Sequence, residues 1–303
     1  MQKTGGGMVG MTGLRIYLKH AAMAVAREAS RGWAPGDPSP RAVVLCYHSI
    51  HPTKSFASAT PTTFGRHLDW LAAKCDVVPL DHIPQTVATP RRARPAVAIT
   101  FDDGYVDNYD FAFPLLQDRD LPATFFVTAG LLEKDPVVLA RAQMLRQSTY
   151  DDVRPLEWAQ VRVMHAAGME IGAHTYSHPN LARLTRLQAR DELGRSKQII
   201  EQRLGTQVRS MAYPFGKPGR HFTGQTATLV EEVGYEYACA VLFRAVRASD
   251  SRLAIPRLIV TRDTVTGLRE KVFGAWDLIG MWQERCPLWF ARIVSPEDFC
   301  EWA

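Results

Sequence analysis

The chain has 303 residues, of which 46% are hydrophobic and 22% charged, as is typical of a folded globular protein. Average contents of glycine (21) and proline (19) exclude a collagen-like or low-complexity chain. The formal net charge of +5 fits an anionic substrate or a membrane face, and no recognised nucleic-acid-binding motif accompanies it. Five cysteines without a C-x-x-C pair argue against a disulfide framework and against a thiolate zinc cluster.

Residues 1–40 are predicted to be an extension that precedes the main fold. Their start is rich in glycine and is interrupted by Arg15 and Lys19, so we expect no secretory signal peptide. Residues 14–31 have the pattern of a basic helix with a weak apolar face. We interpret this segment as a solvated helix, with a membrane-surface helix as the alternative. Residues 32–40 contain three prolines and form a linker.

From Arg41 onward, short apolar runs alternate with segments of helical periodicity. Strands are predicted at 42–47, 95–101, 123–128, 169–173, 210–213, 237–242 and 257–261. Helices are predicted at 62–74, 108–119, 155–167, 187–204 and 226–233. Such alternation indicates an α/β fold with a parallel sheet and crossover helices.

The C-terminal residues 266–303 are predicted to be a second extension. They contain apolar stretches at 272–282 and 287–294, each too short to span a bilayer. We expect both stretches to pack against the barrel, with contact to a membrane surface as the alternative.

Polar residues follow four of the predicted strands. They are the segments at 47–49, 102–104, 174–178 and 214–216. In parallel α/β folds, ligands bind at the carboxyl ends of the strands, so these segments are candidates for one site. The glycine patterns of nucleotide-binding loops do not occur in the sequence.

The spacing of two histidines within one of these segments indicates a metal site. His174 and His178 can reach one ion from a helical turn or tight loop, and a carboxylate would complete the ligand set. Asp102 and Asp103 are adjacent, so one can bind the metal while the other acts as a base. Taken alone, each pattern is more often a pair of surface histidines or a capped turn. Their occurrence together at separate strand ends favours the functional interpretation.

The string Thr100-Phe101-Asp102-Asp103-Gly104, followed by His174-Thr-Tyr-Ser-His178, resembles the polysaccharide deacetylase family. This is the NodB-homology domain of carbohydrate esterase family four, and the resemblance runs from about Arg41 to Thr261. It implies a single-domain distorted (β/α) barrel of about seven strands at 41–265, with helical extensions at 1–40 and 266–303. It also implies removal of N-acetyl groups from amino sugars with a divalent metal, zinc being the first expectation and cobalt or nickel the alternatives.

The resemblance also assigns roles to individual residues. Asp103, His174 and His178 would bind the metal, and Asp102 would be the general base that takes a proton from water. Tyr213 and Phe215 would belong to the oxyanion and substrate part of the site, with the backbone N–H of Phe215 as an oxyanion donor.

The chain departs from the family pattern at two positions. The family's third motif usually begins with an arginine, but Ala212 stands there, so we expect Arg257 to supply a replacement guanidinium. The family's C-terminal Leu-x-His motif has no counterpart here, because no histidine follows His221. Residues 45–48, at the end of the first predicted strand, instead end in His48. This arrangement resembles a rearranged subgroup that includes deacetylases of extracellular poly-N-acetylglucosamine. His48 would then be the acid that protonates the leaving amine.

Other functions remain open at this stage. The same fold could remove a formyl group or an O-acetyl group from a small or lipid-linked sugar, or it could bind glycans without catalysis. The expected partner is a glycan and not a nucleic acid, and the oligomeric state is open. The expected location is the cytoplasm or the inner membrane face, with peripheral membrane contact and export left open.

Overall fold

A computed structural model describes residues 41–88, 94–146 and 153–285, and within these ranges eight parallel strands form one sheet. The strands are β1 (Ala42–Tyr47), β2 (Asp76–Val77), β3 (Ala96–Phe101), β4 (Thr124–Val127), β5 (Glu170–Ala173), β6 (Ser210–Ala212), β7 (Tyr237–Val241) and β8 (Ile255–Ile259). Strands β3 to β8 follow one another in space as they do along the chain.

Seven of the strands close into a barrel because β1 pairs with both β8 and β3. All six residues of β1 pair with β3, from Ala42 opposite Ala96 to Tyr47 opposite Phe101. The other edge of β3 is shared, since β2 pairs with its first two residues and β4 with its last two. The two-residue β2 therefore lies beside the barrel and is not one of its seven strands. The predicted distorted barrel of about seven strands is confirmed.

Helices follow most of the strands and cover the outside of the barrel. They are α1 (Pro61–Lys74), α2 (Ile83–Ala88), α3 (Phe113–Gln117), α4 (Ala129–Leu132), α5 (Pro136–Arg146), α6 (Trp158–Ala166), α7 (Arg186–Leu204), α8 (Gly224–Glu232), α9 (Val265–Val272) and α10 (Asp277–Arg285). A five-residue π-helix (Asn108–Ala112) precedes α3. Among the described residues, no helix combines the length and apolar character needed to cross a bilayer.

The alternation of side chains along each strand separates two layers of the core. Val43 and Leu45 of β1 point outward into the cluster that includes Phe64 and Leu68 of α1. Ala42 and Val44 point inward, where small residues of other strands meet them. Every residue of β1 and β3 is buried, as expected for parallel strands covered on both faces. The same alternation directs the last inward-facing residue of several strands to the top of the barrel.

Several predicted boundaries differ from the observed ones, among them the starts of one helix and one strand. The helix predicted from Pro155 begins at Trp158, because Pro155 forms a bridge with Tyr105 and Glu157 caps the helix in a capping box with Gln160. The strand predicted at 257–261 lies at 255–259. The interpretations of residues 1–40 and of the apolar stretch 287–294 lie outside the described residues.

Candidate active site

The carboxyl ends of the strands surround one cavity at the top of the barrel, and the polar segments identified in the sequence meet there. Seven of the eight predicted site residues line it, whereas Arg257 lies behind Asp102. The cavity is lined by Cys46, His48, Asp102, Asp103, Tyr105, Thr128, Leu131, Ala142, Leu145, Arg146, His174, His178, Tyr213, Phe215, Lys217, Val241, Phe243 and Ile259.

The loops that carry these residues hold unusual backbone conformations. Asp103, Thr175, His178 and Phe215 all have positive φ angles, between 57° and 75°. This left-handed region is costly for residues other than glycine, and above all for a β-branched threonine. The Thr175 hydroxyl stabilises its turn by accepting the N–H of His178 at 3.1 Å. Strain is thus concentrated where three loops aim their side chains into the cavity.

Asp103, His174 and His178 bring one ligand atom each to a common point. The Oδ1 atom of Asp103 lies 3.6 Å from Nε2 of His174 and 3.5 Å from Nε2 of His178. The Nδ1 atom of His174 donates to the carbonyl oxygen of Ala212 at 2.8 Å, which leaves Nε2 as the atom with a free lone pair. Asp103 and His174 are buried, and His178 is partly buried.

This set of donors fits a divalent cation. Two ligands that each lie about 2.1 Å from a tetrahedral ion are roughly 3.4 Å apart, close to the separations found here. Binding requires neutral histidines and an ionised aspartate. Burial lowers the pKa of His178 to about 3. Burial alone would raise the pKa of Asp103, but Arg146 and His178 overcome it and hold that pKa well below its usual range.

Asp102 is held by Arg257 in a bidentate ion pair. The guanidinium Nη1 and Nη2 atoms donate to Oδ1 and Oδ2 of Asp102, both at 2.7 Å, and neither residue is appreciably exposed. Nη1 also donates to the hydroxyl of Thr100 at 3.1 Å. Burial would raise the pKa of Asp102, but the charges of Arg257 and His174 bring it down to about 2. Asp102 is therefore ionised at neutral pH, as a base must be.

Cys46 contacts the same carboxylate, a role that the sequence analysis missed. Its thiol donates to Oδ2 of Asp102 at 3.4 Å. Burial raises the pKa of Cys46 well above its usual value, so the group is a thiol that donates and not a thiolate that repels. Strand alternation was the available signal, because Cys46 and Asp102 both occupy inward-facing positions of neighbouring strands.

His48 lines the cavity beside Asp102. One donor atom each of Cys46, His48 and Asp102 lies within 4.8 Å of the others. Burial is the largest influence on His48, and its pKa is lowered to about 4 despite the opposing charge of Asp103. The protonated form expected from the sequence is therefore a minor species at pH 7 in the free protein.

The β6 loop contributes an aromatic wall. Phe215 packs edge-on against His178, with ring centroids 4.7 Å apart. Tyr213 stacks on Phe222 at 3.7 Å and donates its hydroxyl to the carbonyl of Leu253 at 2.9 Å. The hydroxyl of Tyr213 is thus hydrogen-bonded within the core, and the residue lines the cavity with its ring.

Arg146, at the end of α5, is a cavity residue with no counterpart in the sequence prediction. Its Nη2 atom donates to Oδ2 of Asp103 at 2.7 Å, and its Nε atom donates to the Tyr105 hydroxyl at 2.9 Å. Pro136 at the start of α5 and Arg146 in its last turn were signals for the helix. Trp158 and Trp276 are not among the cavity residues, and both pack against the hydrophobic core.

Comparisons with known proteins point to one enzyme family. The family model described as polysaccharide deacetylase matches residues 89–238. A putative polysaccharide deacetylase of Bacillus subtilis, YxkH, is 24% identical over 246 residues, covering 80% of this chain and 78% of that protein. A poly-beta-1,6-N-acetyl-D-glucosamine N-deacetylase of Staphylococcus aureus is 21% identical over 197 residues, and the match covers 62% of this chain and 60% of that protein.

Solved structures share the fold. The deacetylase PplD of Streptococcus pyogenes, in complex with acetate, superimposes with a TM-score of 0.65 at 21% identity, covering 77% of this chain and 98% of that one. IcaB of Ammonifex degensii gives a TM-score of 0.63 at 24% identity, with 78% and 98% covered. The family model thus identifies residues 89–238 as a polysaccharide deacetylase domain, and the solved structures share its barrel fold.

Proposed function

We propose that this protein is a metal-dependent hydrolase that removes N-acetyl groups from N-acetylated amino sugars of a polysaccharide, oligosaccharide or lipid-linked glycan. The observation that carries the proposal is the pairing of two carboxylates with different partners in one cavity. Asp103 faces two histidines, whereas Asp102 faces Arg257. One aspartate is thus available to a metal and the other to a proton.

The Asp103, His174 and His178 set would hold the metal, which would lower the pKa of a water molecule and polarise the acetyl carbonyl. Asp102 accepts the proton of the attacking water, and Arg257 and Cys46 fix its orientation during that transfer. The backbone N–H of Phe215 stabilises the oxyanion that forms on the carbonyl oxygen.

His48 gives a proton to the nitrogen that leaves. An amide nitrogen departs only when protonated, so a base alone does not complete the reaction. Because burial keeps His48 neutral in the free cavity, its proton must arrive during the turnover. The proton that Asp102 takes from the attacking water is the source, because a ring nitrogen of His48 lies within 4.8 Å of a carboxylate oxygen of Asp102. Negative charge that develops beside an imidazole raises its pKa, and the tetrahedral centre supplies that charge next to His48.

Within this proposal, one observation favours a lipid-linked substrate. Val137 and Met144 of α5 are 75% and 71% exposed, and Leu145, which also lines the cavity, is 42% exposed. Exposed apolar side chains on the helix that carries the cavity residue Leu145 fit a substrate or carrier with an apolar part. A glycan on a lipid carrier is therefore the second candidate substrate, beside a soluble polymer.

Acetate release from N-acetylglucosamine oligomers tests the proposal. We expect the wild-type protein to release acetate, and we expect Asp102→Asn to lower kcat by several orders of magnitude. Parallel reactions with N-formyl, O-acetyl and lipid-linked N-acetyl sugars would identify the acyl group and the carrier. Near-normal turnover by Asp102→Asn would contradict the role of Asp102.

A further inference from the structure

The segment that follows His48 is held by a buried network that the reaction above does not use. Its members are five side chains that are each at most 8% exposed. They are Ser49, Lys54 and Ser58 of the loop after β1, and Asp107 and Asn108 at the start of the π-helix that follows β3. We call these residues the His48 brace.

Asp107 is the centre of the His48 brace. Its Oδ2 atom accepts the hydroxyl of Ser49 at 2.7 Å and the ammonium of Lys54 at 2.9 Å, and its Oδ1 atom accepts the N–H of Ile50 at 3.1 Å. A buried carboxylate is costly unless it is paired and hydrogen-bonded, and these donors supply both kinds of partner. The three belong to residues 49–54, so the carboxylate fixes the loop directly after His48.

Asn108 and Ser58 hold the backbone of His48 itself. The Nδ2 atom of Asn108 donates to the carbonyl oxygen of His48 at 2.7 Å and to Oδ1 of Asp107 at 3.2 Å. The N–H of His48 donates to the hydroxyl of Ser58 at 2.9 Å. Side chains of other segments therefore hold both backbone polar groups of His48.

The ring of His48 has no comparable anchor among the described residues. Its Nδ1 atom is buried and makes no hydrogen bond there. The position of the imidazole therefore depends on the backbone from which it projects. A misplacement of about 1 Å at a reacting group can cost 10²-fold in rate.

We propose that Asp107 and Asn108 are positioning residues that place the His48 imidazole against the leaving nitrogen. The inference rests on the proposed function, in which His48 protonates that nitrogen. It explains why a buried charge pair, Lys54 with Asp107, lies beside a cavity whose metal-ligand set and base it does not touch. Neither residue contacts the substrate in this account; both act through His48.

The leaving group of the substrate distinguishes positioning from general damage. An N-acetyl amino sugar needs a proton on its nitrogen, whereas an aryl acetate such as 4-nitrophenyl acetate expels a phenolate that needs none. For Asn108→Ala we expect kcat on the amide to fall roughly 10- to 100-fold with KM nearly unchanged. We expect kcat on the aryl acetate to stay within about twofold. Asp107→Asn and Ser58→Ala should show the same pattern.

A double-mutant cycle gives a second readout. If Asn108 acts through His48, Asn108→Ala has no further effect on amide cleavage in a His48→Ala background. Tyr235→Phe is the matched control, because it removes a buried hydrogen bond of 3.1 Å to the carbonyl of Leu193 without touching the cavity residues. This control should leave both activities unchanged.

Equal losses on the amide and the aryl acetate, or additive losses in the His48→Ala background, would overturn the positioning role. Failure of the proposed function is a different result. It appears in the wild-type protein, as amide substrates that release no acetate in the presence of metal. That result would contradict both proposals. An active wild-type protein whose variants show additive losses would contradict only the positioning role of the His48 brace.

Discussion

The guanidinium that holds Asp102 comes from a different strand than the family motif leads one to expect. The motif arginine would end β6, where Ala212 stands, whereas Arg257 lies in β8, two strands further along the barrel. Both positions face the same point at the top of the barrel because inward-facing residues of nearby strands converge there. One ion pair can therefore be built from either strand.

Replacement of Arg257 tests its role. In Arg257→Met, the guanidinium charge no longer opposes the effect of burial on Asp102, so the pKa of Asp102 rises from about 2. We expect kcat/KM to fall roughly 10²-fold or more and the acidic limb of its pH profile to move to higher pH. Arg257→Lys keeps the charge without the two-point contact and should lie between wild type and Arg257→Met. Unchanged pH profiles in both variants would contradict the assignment.

The sequence predicted the residues that bear unusual chemistry at the ends of recognisable strands. Asp102, Asp103, His174 and His178 belong to this group, and all four line the cavity. Arg146 escaped prediction because it reaches the cavity from a helix with no motif, through a long side chain whose direction only tertiary structure sets.

At the scale of elements, the loop after β6 is shaped by its contact with β7. Gly216 has a φ of +66°, and a Cβ atom there would lie 2.5 Å from Cγ2 of Val241 and 2.9 Å from its backbone nitrogen. The carbonyl of Gly216 accepts the N–H of Val241 at 2.7 Å. This close approach keeps Phe215, the preceding residue, against His178.

Alanine substitutions separate two reasons for a glycine at position 216, which are its positive φ angle and its close contact with Val241. Gly219→Ala, with a φ of +75° and no atom within 4 Å of a Cβ, should show only the backbone cost, about 1 kcal/mol. Gly216→Ala adds the clash with Val241 and should lower the free energy of unfolding by about 1–3 kcal/mol more. Urea unfolding measures both values. Equal losses would show that the close approach carries no cost.

The type of each predicted element, helix or strand, was predicted more accurately than the residues at which it begins and ends. The strands at 42–47 and 95–101 were readable because buried parallel strands are continuous apolar runs. The two-residue β2 leaves no such pattern, and the start of α6 depended on a bridge between Pro155 and Tyr105 that brings together residues 50 positions apart. Local sequence carries no signal for that pairing.

At the scale of the whole molecule, buried neutral histidines make folding sensitive to acid. Burial lowers the pKa of His221 to about 4, and it also lowers that of His67. Their unfolded pKa is about 6.5. Below pH 6.5 the unfolded chain therefore binds a proton at His221 that the folded chain does not bind until about pH 4. The resulting stability is complete above pH 6.5 and is lost as the pH falls through this window.

Urea unfolding between pH 7.5 and pH 4.5 tests this expectation. His221→Gln keeps an acceptor for the N–H of Lys217 and should reduce the slope of unfolding free energy against pH by up to about 1.4 kcal/mol per pH unit. His82→Gln is the matched control, because the side chain of His82 is 57% exposed, and its slope should equal that of wild type. A slope for His221→Gln that matches wild type would contradict the burial argument.

We propose that this barrel hydrolyses N-acetyl groups with a metal held by Asp103, His174 and His178. The most direct measurement is acetate release from N-acetylglucosamine oligomers by purified protein, after chelation and again after addition of zinc or cobalt, with Asp102→Asn alongside. The account predicts release that is lost on chelation, restored by metal and absent in the variant under every condition. Release that persists after complete metal removal, or that Asp102→Asn retains, would contradict it.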